Sequence, residues 1–258
     1  YSLIENLDLL FCDKDGCEDV RLDYWQLVTD LFSDAFFKQI YDFCDSHGYK
    51  LTGHLVLEED LMSQIVSNGA CMPHYEYMHI PGMDWLGRNL FDCLNPIQVS
   101  SVCDQLGKSQ VLSETFALCG HNVSFAELKG IYEWQMVHGV NLLCQHLQGY
   151  TNRGLRKRDY PPAMYIQQPW WKDYKMFNDS MSRIGMLLSG GDDSVDVLVI
   201  HPQTTAWTMY DDTKECYSTI TDYSGDFMKK LQILERKHVI FHLGDEIMME
   251  RYGSIDGK

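Results

Sequence analysis

Residues Gln110–His146 read QVLSETFALCGHNVSFAELKGIYEWQMVHGVNLLCQH, and their order is strand, loop, helix, turn, strand. Gln110–Leu112 opens a short apolar run that ends in Ser113-Glu114, which predicts a brief buried strand. Ser124, followed three residues on by Glu127, is a capping box, and it opens a helix that runs to His138. Gly139 stops that helix, and Val140–Gln145 predicts a second buried strand. Two strands joined through a helix need a crossover connection, and crossovers give a parallel sheet.

The same alternation extends in both directions. Toward the N-terminus, apolar residues at helical spacing predict one long or kinked helix over 22–47, closed by Gly48. A strand is predicted at Tyr49–Leu57, a helix at Glu59–Val66 ended by Asn68-Gly69, and a helix at Pro96–Leu106 closed by Gly107. Pro73–Trp85 reads as irregular, with a short strand at Tyr77–Ile80. Each predicted strand follows a tight glycine turn and opens into a long polar, aromatic loop. A TIM-type barrel has that asymmetry, with function gathered at the C-terminal face; a doubly wound sheet is the other alternating architecture. A second α/β unit is expected from about Trp170, with a helix at Tyr174–Leu188, a strand at Val195–His201, a helix at Phe227–Lys237 and a strand at Val239–Leu243. The expected domains are 1–172 and 173–258. Tyr1 is not methionine, no signal segment follows it, and the chain reads as an excerpt from a longer one.

Composition narrows the function. Thirty-seven acidic against 21 basic residues leave a net charge of −16, which repels phosphate backbones and anionic lipid. Neither nucleic acid nor membrane is an expected partner. The nine cysteines are scattered, without a C-x-x-C pair, and favour a reducing, cytoplasmic setting. No P-loop, G-x-G-x-x-G, G-x-S-x-G or H-E-x-x-H occurs, so no cofactor and no metal are expected.

Acids at strand ends carry the chemical argument. Glu114 ends its strand well before the next helix begins, and Glu58, Glu59 and Glu76 follow or flank others. Glycoside hydrolysis needs two carboxyl groups across a sugar ring, and strand ends of a barrel supply them from separate segments. Glu58 and Glu59 also suit a helix start, where negative charge meets the dipole. His54, His74 and His146 fall at or past strand ends, and Trp85 and Tyr150 stand in aromatic loops suited to stacking on sugars. The basic run Arg153, Arg156, Lys157 and Arg158 before Asp159-Tyr160-Pro161-Pro162 reads as an ion-paired loop.

QVLSETFALCG, a helix, HGVNLLCQHLQGY, QQPWWKDYKMFNDSMSRIGMLLSGG and VDVLVIHPQTTAW together resemble a glycosidase barrel passing into its next domain. The likeness is to large bacterial glycoside hydrolases, the α-L-rhamnosidases of family 106 and, in layout, the family 42 β-galactosidases. It implies the C-terminal half of a (β/α)8 TIM-type barrel followed by part of a flavodoxin/amidotransferase-like α/β domain. Lys50–Val56 would be the fifth strand, the strand ending at Glu114 the seventh, and Val140–Gln145 the eighth. The seventh-strand glutamate is the nucleophile in family 42 barrels, which points to Glu114. The resemblance implies a carbohydrate substrate. In a family 42 layout the acid/base follows the fourth strand, before Tyr1 or near Leu9–Cys12, and the chain lacks one catalytic group; in a rhamnosidase layout Glu59 or Glu58 is the candidate partner of Glu114. His54, Glu58, His74, Glu76, Trp85, His146 and Tyr150 would surround the sugar, and a second copy of the chain could pair through the second α/β domain. A non-catalytic carbohydrate-binding barrel would keep the aromatics and need no paired acids.

Overall fold

The computed structural model describes residues 2–90, 92–151, 153–158, 160, 164–191 and 193–254. Helix α1, Cys17–Phe32, passes through a π-turn at Ser33–Phe37 into α2, Lys38–Ser46, so the long helix is present, starts earlier than predicted and is interrupted by the π-turn from Ser33. Strand β1 is only Thr52–Gly53, shorter than the Tyr49–Leu57 expected. The reason is a competing acceptor: the Leu55 N–H donates to Glu58 Oε1 at 2.8 Å instead of continuing a ladder. Helix α3, Leu61–Asn68, is capped by Asp60, whose side chain accepts from the Ser63 N–H.

Pro73 sits in the first turn of a short helix, α4, Met72–Tyr75. The Tyr77 and Met78 amides bond back to His74 and Tyr75, so the strand expected at Tyr77–Ile80 starts only at Ile80 and runs as β2 to Trp85. Helix α5 is Leu94–Gln105, β3 is Leu112–Thr115, α6 is Phe125–Met136 and β4 is Leu142–Gln145. Both halves of the Ser124–Glu127 capping box are made. Helix α7 spans Tyr174–Leu188, the predicted bounds. Strand β5, Val197–Ile200, helices α8, Gln203–Thr208, and α9, Lys214–Arg236, strand β6, Phe241–Gly244, and helix α10, Glu246–Tyr252, complete the order.

Strands β1-β2-β3-β4 form one sheet in sequence order, every pair parallel, and β5-β6 form a second parallel pair. Alternation along a strand assigns two faces. Thr115 Oγ1 accepts from Gln135 Nε2 of α6, so Thr115 and Ser113 face the helices. Leu112 and Glu114 face the other way, in register with Gly82 and Asp84 of β2.

Helix α7, expected to open a second unit, packs on β4: Gln145 Nε2 donates to Asn178 Oδ1 at 2.7 Å, and Phe177 stacks on Phe125 at 5.5 Å. Strand β6 lies against α5, where the Leu243 N–H donates to Ser101 Oγ and its carbonyl accepts from Gln105 Nε2. Val99, Val102, Tyr132, Phe227, Leu231 and Leu243 belong to one apolar core that spans both sheets. Trp207 of α8 is fully buried and donates to the Gly69 carbonyl past the end of α3. No described helix is long and apolar enough to cross a membrane.

Candidate functional site

Glu114 lies at the C-terminal end of β3, between β2 and β4, and its carboxylate meets imidazoles delivered from both sides. His54, just past β1, places Nε2 2.7 Å from Glu114 Oε2, and His146, just past β4, places Nε2 3.9 Å from Oε1. The contact with His54 has a defined polarity. His54 Nδ1 is 2.8 Å from the Leu55 carbonyl oxygen, which only accepts, so Nδ1 carries a proton. Nε2 then needs a second proton to bond a carboxylate, which makes the ring an imidazolium. Burial opposes that charge, but the Leu55 carbonyl and Glu114 outweigh it and hold the His54 pKa above its ordinary value. His54 and Glu114 are each a little over a quarter exposed, so the pair opens to solvent.

Asp84 is the register partner of Glu114 on β2, on the same face and about 4.8 Å away strand to strand. Burial, reinforced by the negative charges of Glu114 and Glu59 and opposed by His54 and His146, pushes its carboxyl up to about 6. One of its oxygens is buried without a hydrogen-bond partner among the described residues. A strand at Tyr77–Ile80 leaves Asp84 in a loop, where no sequence signal singles it out. With β2 at Ile80–Trp85, the alternation Gly82, Asp84 would have identified it.

Glu58 is buried beneath the pair, held within the protein. It is 1% exposed, and its Oε1 accepts from Leu55 N–H and Tyr75 OH while Oε2 accepts from Asp84 N–H. Burial pushes its carboxyl up to about 7 against those hydrogen bonds. Glu59 stands exposed at the rim, close enough for its charge to act on Asp84.

Four expected sugar contacts are placed elsewhere. His74 is a core residue: Nε2 donates to the Asn68 carbonyl, Nδ1 accepts from Ser33 Oγ, and the ring stacks on Phe37. Burial lowers its pKa to about 4, so it stays neutral. Glu76 lies before β2, at the opposite end from Glu114, where it pairs with Arg251 and accepts from Tyr252 OH of α10. Trp85 is buried on the helix face, tilted on Trp134 at 4.6 Å, because it alternates with Asp84. Tyr150 is 95% exposed in the loop beyond β4 and does not pack on the cluster. Arg156 and Arg158 lie on an exposed 3-10 turn, Gly154–Arg158, and Arg153 is exposed just before it, while Asp159 and residues 161–163, the expected acidic and proline end of that loop, lie outside the described residues.

Volume points to the wrong end of the sheet. A cavity of about 780 Å³ opens at the N-terminal ends of β3 and β4, lined by Lys108, Val111, Asn141 and Asp193. Convergence of acids and imidazoles, not size, marks the candidate site.

A parallel sheet in sequence order with acids at its C-terminal end matches known enzymes in shape. A rhamnosidase from Novosphingobium sp. PP1Y superposes with a TM-score of 0.60 at 18% identity, over 76% of this chain and 19% of that one. A catalytic mutant of a GH42 β-galactosidase from G. stearothermophilus superposes with a TM-score of 0.54 at 11% identity, over 91% of this chain and 36% of that one. The chain has a glycoside hydrolase-like fold. A further GH42 β-galactosidase structure gives the same TM-score, 0.54, at 12% identity, over 90% of this chain and 36% of its own. At these identities the likeness speaks for the glycoside hydrolase-like fold alone. The chain spans 19% of the rhamnosidase and 36% of the galactosidases. No protein-family model matches the chain, and no curated protein matches it.

Proposed function

We propose that the chain is the catalytic half of a glycosidase barrel, with β1 to β4 as strands five to eight and residues 173–258 contributing to a following α/β domain. In this reading Glu114 is the catalytic carboxylate, oriented by the His54 imidazolium and bordered by Asp84 and His146. The carrying observation is the meeting of Glu114 with His54 at 2.7 Å, beside a second acid in register on the neighbouring strand. Two acids in different environments are what glycoside cleavage requires: one ionised, one able to hold a proton near neutrality. Asp84, pushed up to about 6, has the second property. The paired acids favour catalysis over a purely carbohydrate-binding barrel, which needs no such pair. The substrate is an oligosaccharide glycoside of the rhamnoside or galactoside type, the classes named for the neighbours in shape.

The test is turnover of aryl α-L-rhamnosides and β-D-galactosides by the protein carrying the entire barrel. Glu114→Gln is expected to lower kcat on the order of 10⁴-fold with an unchanged circular dichroism spectrum. Asp84→Asn is expected to remove one limb of the pH–rate profile. Near-normal turnover by Glu114→Gln would overturn the assignment, and sugar binding without any turnover by the unmodified protein would favour the binding barrel.

A further inference from the structure

Away from the sheet's C-terminal end, three side chains remote in sequence meet: Cys93 just before α5, His138 just past α6, and Glu235 in the last turn of α9. One ligand-competent atom of each lies within 4.8 Å of the other two. We propose that Cys93 Sγ, His138 Nε2 and the Glu235 carboxylate bind a zinc ion, with a fourth coordination position open to the adjoining cavity.

The proton inventory asks for a cation. His138 Nδ1 lies 2.6 Å from the Trp134 carbonyl oxygen, so Nδ1 carries the proton and Nε2 of the neutral ring offers a lone pair. That lone pair faces Glu235 Oε1 at 2.6 Å, another acceptor. Two acceptors at that distance need either one more proton, on the ring or on the carboxyl, or a metal between them. A backbone carbonyl fixing the far nitrogen is also the arrangement that orients histidine ligands at metal sites.

The surroundings add to the negative potential. Glu235 sits at the C-terminal end of α9, and His138 follows the C-terminal end of α6, where the helix dipoles are negative. A carboxylate placed there is mildly disfavoured by the dipole, and a cation beside it reverses that. Cys93 supplies a third donor from a position 1% exposed, so its sulfur is shielded from bulk oxidants. Thiolate, imidazole and carboxylate together select zinc over magnesium or calcium, which take oxygen ligands. Zinc bonds of about 2.0–2.3 Å to these atoms require donors roughly 3–4 Å apart, so the Glu235 side chain would swing outward by about 1 Å. It is 31% exposed and has room to do so. His138 and Glu235 also line a cavity of about 450 Å³ together with His238 and His242, which leaves space for water or a further imidazole.

Cobalt(II) tests the assignment directly, because it takes zinc sites and reports a thiolate ligand by its sulfur-to-metal charge-transfer band. The purified chain, stripped with a chelator and titrated with cobalt(II), is expected to bind one equivalent and to show that band together with the visible bands of a four-coordinate centre. Zinc should displace the cobalt and abolish both. Cys93→Ser is expected to remove the charge-transfer band, a necessary comparison because all nine cysteines are free thiols. Glu235→Gln, at a partly exposed position that tolerates the change, should weaken cobalt binding by more than the about 10–100-fold typical of outer-shell changes while leaving the circular dichroism intact. The proposal is overturned by absence of the band, by its survival in Cys93→Ser, or by equal affinity of Glu235→Gln and the unmodified chain; absence would mean that a shared proton alone joins His138 to Glu235.

Discussion

At the scale of single residues, Glu58 couples the stability of the fold to pH. Its folded carboxyl is pushed from an ordinary 4.5 to about 7 by burial. Between those values the folded protein keeps a proton that the unfolded chain has released, so stability is full below about pH 4.5 and falls as pH rises through about 7. A shift of this size corresponds to about 3 kcal/mol. Asp84 acts in the same sense on its way to about 6, and the raised His54 pKa adds stability that is likewise lost as pH rises. His74 and His201, both lowered to about 4 by burial, act oppositely, because the unfolded chain takes up their protons first as pH falls. The difference between the unmodified chain and Glu58→Gln therefore isolates the Glu58 contribution. Urea unfolding across about pH 4 to pH 8 is expected to show that difference changing with the slope of one proton; parallel curves would mean that Glu58 titrates alike in the folded and unfolded chain. Glu114, His54 and His146 were legible in sequence because each ends or follows a strand, a position that short-range pattern gives. His74 and Glu76 were not, since their partners Ser33 and Arg251 are far along the chain and burial depends on them.

Among elements, β2 depends on a missing side chain. A Cβ on Gly82 would stand 2.7 Å from the Gly53 carbonyl oxygen and 3.0 Å from Leu112 Cδ2. The first contact is backbone, so β1 must move. Gly82→Ala is expected to cost about 1–3 kcal/mol as overpacking, and to speed hydrogen exchange of the Ile80 amide, which bonds to Leu51 at the start of that strand pair. Gly130, exposed in α6 with nothing within 4 Å of its Cβ position, is the control. Gly130→Ala should stabilise by about 0.5–1 kcal/mol through helix propensity. Unaltered thermal stability and exchange in Gly82→Ala would show that the sheet relaxes freely there. Elements with local causes were legible: the Ser124–Glu127 box marks α6 outright. Those set by side-chain competition were not, as with β1, cut short by Glu58. The first half of α9 was missed for a third reason: Cys216, Ile220 and Ser224 form its buried stripe, too thin a signal within a polar run.

For the whole molecule, strand–helix alternation made the parallel sheet readable, but not how the parts lean on one another. Those contacts join residues such as Gln105 and Leu243, or Trp207 and Gly69, whose pairing no local pattern encodes. They bear on cooperativity. Helix α7 covers β4 and the Phe125 ring, β6 rests on α5, and both sheets feed one apolar core. Opening residues 173–258 alone would expose Val99, Val102 and Tyr132 and strip Phe125 of its partners Tyr174 and Phe177. Each large side chain so exposed costs about 1.5–3 kcal/mol, which already reaches the scale of a domain's net stability. Unfolding should therefore be a single transition. Scanning calorimetry is expected to give one peak whose calorimetric and van't Hoff enthalpies agree, with the fluorescence of Trp207 and of Trp85 changing at the same temperature in single-tryptophan variants. Two separated peaks, or a stable product from a chain ended at residue 172, would mean that the second sheet is an independent body and that the shared core contributes little to holding Glu114 in place.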